Sequence, residues 1–214
     1  MTGISRALVL VFAFLLFLTC TAGCTFPRVQ DTHNTTAVIK SYNAWASSQG
    51  NFSHETEGTV SVIGRHIQEY NAEIVKERPD YSLLHANLVQ DRQLIDTWRT
   101  RLNSLSAATG QFEQETSTLV FDNASAGHTT GRTLAQLTQH MKIYTVNMGN
   151  AQQHLIEYVE NAEAYIGPGD PDYWDETYRQ NAMLAKDDAL KALTDSDTEL
   201  EAIHAQALQL ESYQ

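Results

Sequence analysis

Only two cysteines, four prolines and eleven glycines occur among 214 residues. With so few thiols, a disulfide framework cannot supply the stability of the fold. With so few backbone breakers, a fold of many short elements is excluded as well. Positive charge is also scarce: 14 lysines and arginines face 26 acids, a net of −12. A general nucleic-acid binder needs a basic surface to neutralise phosphates, so that class is excluded too. Apolar residues make up 42% and charged residues 19%, which is too apolar for wholesale disorder. The chain must therefore pack a core from a few long elements.

One apolar block stands apart. Arg6 precedes the unbroken stretch Ala7 to Leu18, followed by the small residues Thr19, Thr21, Ala22 and Gly23. A positive start, an apolar core of about a dozen residues and small residues behind it are the parts of an export signal. The block is shorter than the ~20 apolar residues that a stable membrane-spanning helix prefers. Residues 1–23 are thus read as a signal peptide, with an uncleaved N-terminal anchor as the alternative. Their removal takes away Arg6 and no acid, leaving the mature chain more acidic still.

Thr21-Ala22-Gly23-Cys24 resembles the lipobox of bacterial and archaeal lipoproteins. It matches the family at Ala22, Gly23 and Cys24. It departs from it at Thr21, where the family usually carries leucine or another aliphatic residue. The resemblance covers only this N-terminal segment, and it implies cleavage before Cys24, lipid on its sulfur and attachment to the outer face of a membrane. Cleavage after Ala22, leaving a freely secreted chain, is the competing reading. If Cys20 leaves with the signal, Cys24 is the one thiol of the mature chain, and lipid would protect it from extracellular oxidation.

Residues 24–33 carry no apolar period and read as a tether of at most roughly 30 Å. Beyond it, residues 34–214 form one helical domain. Apolar positions recur at alternating spacings of three and four, the signature of a helical seam. The third segment is clearest, running Leu134, Leu137, Met141, Tyr144, Met148, Ala151, Leu155, Tyr158, Ala162, Tyr165. The second runs Tyr81, Leu84, Leu88, Asp91, Ile95, Trp98, Leu102, Leu105, and continues toward Phe112 across Gly110. The first combines Val38, Tyr42 and Trp45 with Val60, Ile63, Ile67, Tyr70 and Ile74. Between its two parts, Ser47 to Gly58 is polar and contains two glycines, so a break there is as consistent as continuity. The fourth runs from Trp174 and Tyr178 through Ala182, Ala185, Ala189 and Leu193 to Leu200, Ile203, Ala207 and Leu210.

Punctuation falls between the segments. Pro79 separates the first from the second, Thr129 or Thr130 can cap the third, and Asp170 with Pro171 suits the start of the fourth. Segments of about 55 to 65 Å at 1.5 Å rise, joined by short turns, predict an all-α, elongated up-down-up-down four-helix bundle with coiled-coil-like seams. Three long helices plus a short extra one are the alternative, should the first segment break.

Residue patterns that carry chemistry are few. Glu-x-x-His occurs once, at Glu201 and His204, where di-iron bundles need two copies with further glutamates. Ile203 holds the seam there, so no metal or other cofactor is expected. The eight histidines are read as surface residues, with His33, His54 and His128 in polar or loop regions. There is no HExxH, no paired CxxC and no glycine-rich phosphate loop, and no enzyme is expected. Asp91 interrupts an apolar seam, and a buried carboxylate must be wet, paired or protonated. It is either a register-setting polar residue or a ligand-contacting, pH-sensitive group. Asn34, Asn51 and Asn123 open three glycosylation sequons, all in segments read as loops or helix ends.

In an alternating bundle, Tyr70, Tyr81, Tyr158, Tyr165, Tyr173, Trp174 and Tyr178 gather at one pole, away from the N-terminus. They are either filler for a flaring end or a recognition surface. The whole reads as a non-enzymatic, membrane-anchored extracytoplasmic lipoprotein that presents an acidic bundle for binding or scaffolding at the cell envelope. Its partners are the membrane, through the lipid, and a further protein or small molecule, but no nucleic acid. Four-helix ectodomains of prokaryotic receptors resemble this architecture at the level of fold, which leaves ligand sensing through a partner as the second reading and a metal-binding bundle resting on Glu201 and His204 as the third.

Overall fold

The computed structural model describes residues 32–119, 125–167, 169 and 174–211, without the side chains of 32–34, 125–128 and 211. Residues 1–31, including Cys24, lie outside the described residues, as do Asn123, Asp170, Pro171 and Tyr173. Four helices follow one another: α1 (Thr32–Glu73), α2 (Tyr81–Ser117), α3 (Ser125–Ile166) and α4 (Glu176–Glu211). No strand occurs among the described residues. The chain is an all-α four-helix bundle in which α1 packs on α2, α2 on α3 and α3 on α4.

α1 is continuous through Ser47–Gly58, so the alternative with a broken first helix is set aside. The seam persists there, filled by Gln49, Phe52, Thr56 and Thr59, all buried. Gln49 also bonds Ser53 one turn on, at 2.7 Å. Gly50 and Gly58 face solvent, where an added Cβ would meet nothing within 4 Å. Each lowers helix propensity by about 1 kcal/mol, but neither sits where packing is decided.

Two predicted boundaries move. α3 begins at Ser125 rather than at a threonine cap, and Thr130 lies buried within it. α4 begins at Glu176, and the capping role assigned to Asp170 belongs to Asp175, whose carboxylate accepts from the Thr177 N–H at 2.9 Å. α2 starts as its sequence suggests, with Asp80 accepting from the Leu83 N–H at 3.0 Å. At the end of α3, Gly169 adopts a left-handed φ of 69° and its N–H returns to the Ile166 carbonyl at 2.9 Å. This closes the helix in the manner that favours glycine.

The core runs the length of the bundle, from Val38 and Phe112 at one end to Ile74 and Tyr165 at the other. The α3–α4 pair packs most closely, because α4 turns Ala182, Ala185, Ala189, Ala192 and Ser196 inward. Side chains this short let two helix axes approach at the low end of the usual range. α1 is seated differently. Alternating with its apolar residues, it buries Ser41, Gln49, Thr56, Thr59, His66 and Glu73, and its main partner is α2.

Glu73 organises the turn between α1 and α2. Its carboxylate accepts from the Asp80 N–H at 2.8 Å and from Lys76. The bond from Lys76, followed by that from Asp80, holds its pKa below the ordinary value. A carboxylate whose folded pKa is depressed adds stability above its unfolded pKa and loses it as the pH falls through the folded one. Glu73→Gln is therefore expected to lower the melting temperature near pH 7. The gap to wild type should close as the pH drops below about 4. Parallel melting curves at both pH values check this.

A buried ionisable pair as the candidate functional site

Asp91 occupies the α2 seam between Leu88 and Ile95 and is 0% exposed. Opposite it, on α1, His66 sits between Ile63 and Tyr70 at 4% exposure. The His66 Nδ1 and Asp91 Oδ1 lie 2.6 Å apart, a charge-assisted distance. Asp91 Oδ2 has no hydrogen-bond partner among the described residues. Leaving a carboxylate oxygen dry is costly for the ionised form.

The electrostatics follow from that geometry. Burial pushes the Asp91 pKa up, the bond to His66 and its charge pull it back, and Glu69 on α1 pushes it up again. Glu69 itself accepts from Asn87 of α2 at 2.9 Å. From α3, Tyr158 faces the pair, and its hydroxyl is raised by burial, by Tyr70 and by Asp91. Tyr70 is raised too, chiefly by burial, and donates to the Ala162 carbonyl at 3.3 Å. The carboxylate and the imidazole thus lie in the interior next to Tyr158, with Tyr70 one helical turn beyond His66 at the edge of the aromatic pole.

His66 corrects the expectation that the histidines lie on the surface. The apolar reading of α1 chose Val60, Ile67 and Ile74 for the seam. The structure buries Ile74 as expected, together with Glu73, but at the other two positions it buries Thr59 and His66 and leaves Val60 and Ile67 half-buried. Other histidines pair with acids at partly exposed sites. His140 meets Glu199 at 2.7 Å and His154 meets Glu157 at 3.0 Å. His54 is exposed, as expected, in the polar stretch of α1, while the side chains of His33 and His128 lie outside those described.

The aromatic pole is real as a gathering of rings but is mostly interior. Tyr70, Tyr158 and Tyr165 are buried. Tyr70 and Tyr158 meet edge-on with centroids 6.4 Å apart. Trp174 sits 4.7 Å from Tyr165 and 6.0 Å from Tyr81. A recognition surface cannot include the buried rings. Of the six that are described, Tyr178 alone is exposed, at 42%, with Tyr81 and Trp174 half-buried. Val75 and Leu83 are exposed at the same pole.

Asn51 also departs from expectation. It lies exposed in the middle of α1 rather than in a loop, with Phe52 of its sequon buried; the Asn34 side chain and Asn123 fall outside those described. Glu201 is exposed and His204 half-buried, with Ile203 fully inside. No three potential metal ligands come together among the described residues. A half-open groove of ≈ 180 Å³ lies between α2 and α3, edged by Arg92, Arg99 and Glu160 over Ile95 and Val159. Arg92 is already paired with Glu163 at 2.7 Å. No described helix is long and apolar enough to cross a membrane. No family model, curated protein or solved structure matches the chain.

Proposed function

We propose that this chain is a membrane-anchored, extracytoplasmic binding or scaffolding protein rather than an enzyme. The observation that carries the reading is the export signal ending in Ala22-Gly23-Cys24, with lipid on Cys24 as its consequence. The start of α1 at Thr32 supports it, because the short stretch from Cys24 would hold the bundle against the membrane. Forty-two residues of α1 then carry the chain about 63 Å outward at 1.5 Å per residue. That places the turns at Lys76–Asp80 and after Ile166 at the far pole.

The acidic surface keeps such a bundle solvated, and Val75, Leu83 and Tyr178 are the apolar groups it offers a partner at the far pole. Tyrosine and exposed aliphatic groups together suit a protein partner more than a charged small molecule. Expressed in an envelope that processes lipoproteins, the wild-type chain should sediment with membranes and need detergent for release. Cys24→Ser should move it to the soluble extracytoplasmic fraction. A Cys24→Ser variant that still sediments with membranes would speak for an uncleaved anchor instead.

A further inference from the structure

We propose that His66 and Asp91 form a proton-operated latch, in which one shared proton seats the middle of α1 on α2 and its loss to solvent lets that stretch lift. The inference is independent of the anchoring of Cys24. With one proton between them, the two side chains carry no net charge, and the 2.6 Å bond satisfies both partners in the seam. Removing that proton leaves a carboxylate beside a neutral ring, with Oδ2 unpartnered among the described residues and Glu69, itself 3.9 Å from Arg65, adding a repulsive charge.

Among the described residues, no further cation is shown acting on Asp91. From α1 the surroundings supply Glu69 and Tyr70, and from α3 Tyr158. From α4, Glu176 and Arg179 act on Tyr70, and Arg179 is bonded to Glu176 at 2.8 Å. On α2, Arg92 is turned to Glu163 of α3. An uncompensated interior charge is relieved by admitting water, and α1 is the helix that can give way. Its seam buries polar side chains whose hydrogen bonds water can replace, and it is held mainly through α2. The rise of the Asp91 pKa on burial gives the sign: the seated state holds a proton that the open state has released, so seating weakens as the pH rises.

The test is amide hydrogen exchange of the full chain between about pH 4 and 9, corrected for intrinsic exchange. In wild type, the opening equilibrium of Thr59–Glu73 should rise by up to about tenfold per pH unit over part of that range. The α3 segment Leu137–Ala151 should lack this slope. In Asp91→Asn, which keeps an oxygen for the His66 ring and cannot lose the proton, the α1 slope should vanish. A flat wild-type profile, or the same slope in Asp91→Asn, overturns the latch. Should that variant not fold, nitrogen shifts of the His66 ring in wild type decide. A step coincident with the loss of α1 protection supports the latch, and shifts that stay constant through it contradict it.

Discussion

Replacing His66 with alanine is expected to cost about 3–5 kcal/mol, because it strips a buried carboxylate of its bonded partner. Asp91 is fully enclosed and Oδ2 has no partner among the described residues, so none of those stands ready to replace the imidazole. The loss should appear as an earlier denaturation midpoint with the slope unchanged, the mark of altered stability alone. The double change His66→Leu with Asp91→Leu should recover most of that loss, since a buried pair replaced by apolar side chains is often neutral or better. A double variant no more stable than His66→Ala would show that the pair holds the fold together rather than merely tolerating burial.

The second large effect is expected at the other end of α1. Trp45 is 0% exposed and its indole N–H donates to the Thr109 hydroxyl at 3.0 Å, tying α1 to α2. Thr109 relays this inward, donating to the Leu105 carbonyl at 2.9 Å and lying 3.2 Å from the Thr145 hydroxyl of α3. Tyr42 stacks on the indole, 6.4 Å between centroids. Trp45→Ala should cost about 3–5 kcal/mol, the usual range for a buried aromatic. Much of it is the cavity left where α1 meets its neighbours. Trp45→Phe keeps most of the volume and loses the Thr109 bond, so it should cost about 1 kcal/mol of hydrogen bonding plus a smaller void. Urea titrations of the two variants separate packing from the bond.

Together these changes probe how α1 is held, and α1 is where sequence and structure differ most. In α3, every seam position from Leu134 to Tyr165 named by the spacing is buried. An apolar stripe without competitors has one way to face a core. In α2, the seam was legible even at Asp91, because the spacing places that residue inside whatever its charge. In α1, polar residues share the buried face, and apolarity pointed one residue to the side, to Ile67 instead of His66. Val38, Trp45, Ile63, Tyr70 and Ile74 do face the core, so the pattern misleads only where a polar neighbour takes the inward place, as His66 does beside Ile67, and the partner of Asp91 stays hidden there. A polar residue reads as inward only when the helix it faces is known.

The same reasoning accounts for the aromatic pole. Topology alone brought Tyr70, Tyr81, Tyr158, Tyr165 and Trp174 together, and the ring contacts follow. Whether a tyrosine plugs the end of a bundle or faces outward depends on how far its helix extends beyond its neighbours. α4 begins only at Glu176, which leaves Tyr178 on the rim and Tyr165 beneath Trp174.

In the proposed function, the bundle stands on a lipid at Cys24. Intact-mass measurement of the chain extracted from its own membranes tests it most directly. The expected result is a polypeptide beginning at Cys24 and heavier than its sequence by a lipid modification carried on that residue. An unmodified chain, beginning at Met1 or at Gly23 with a free Cys24 thiol, would contradict it.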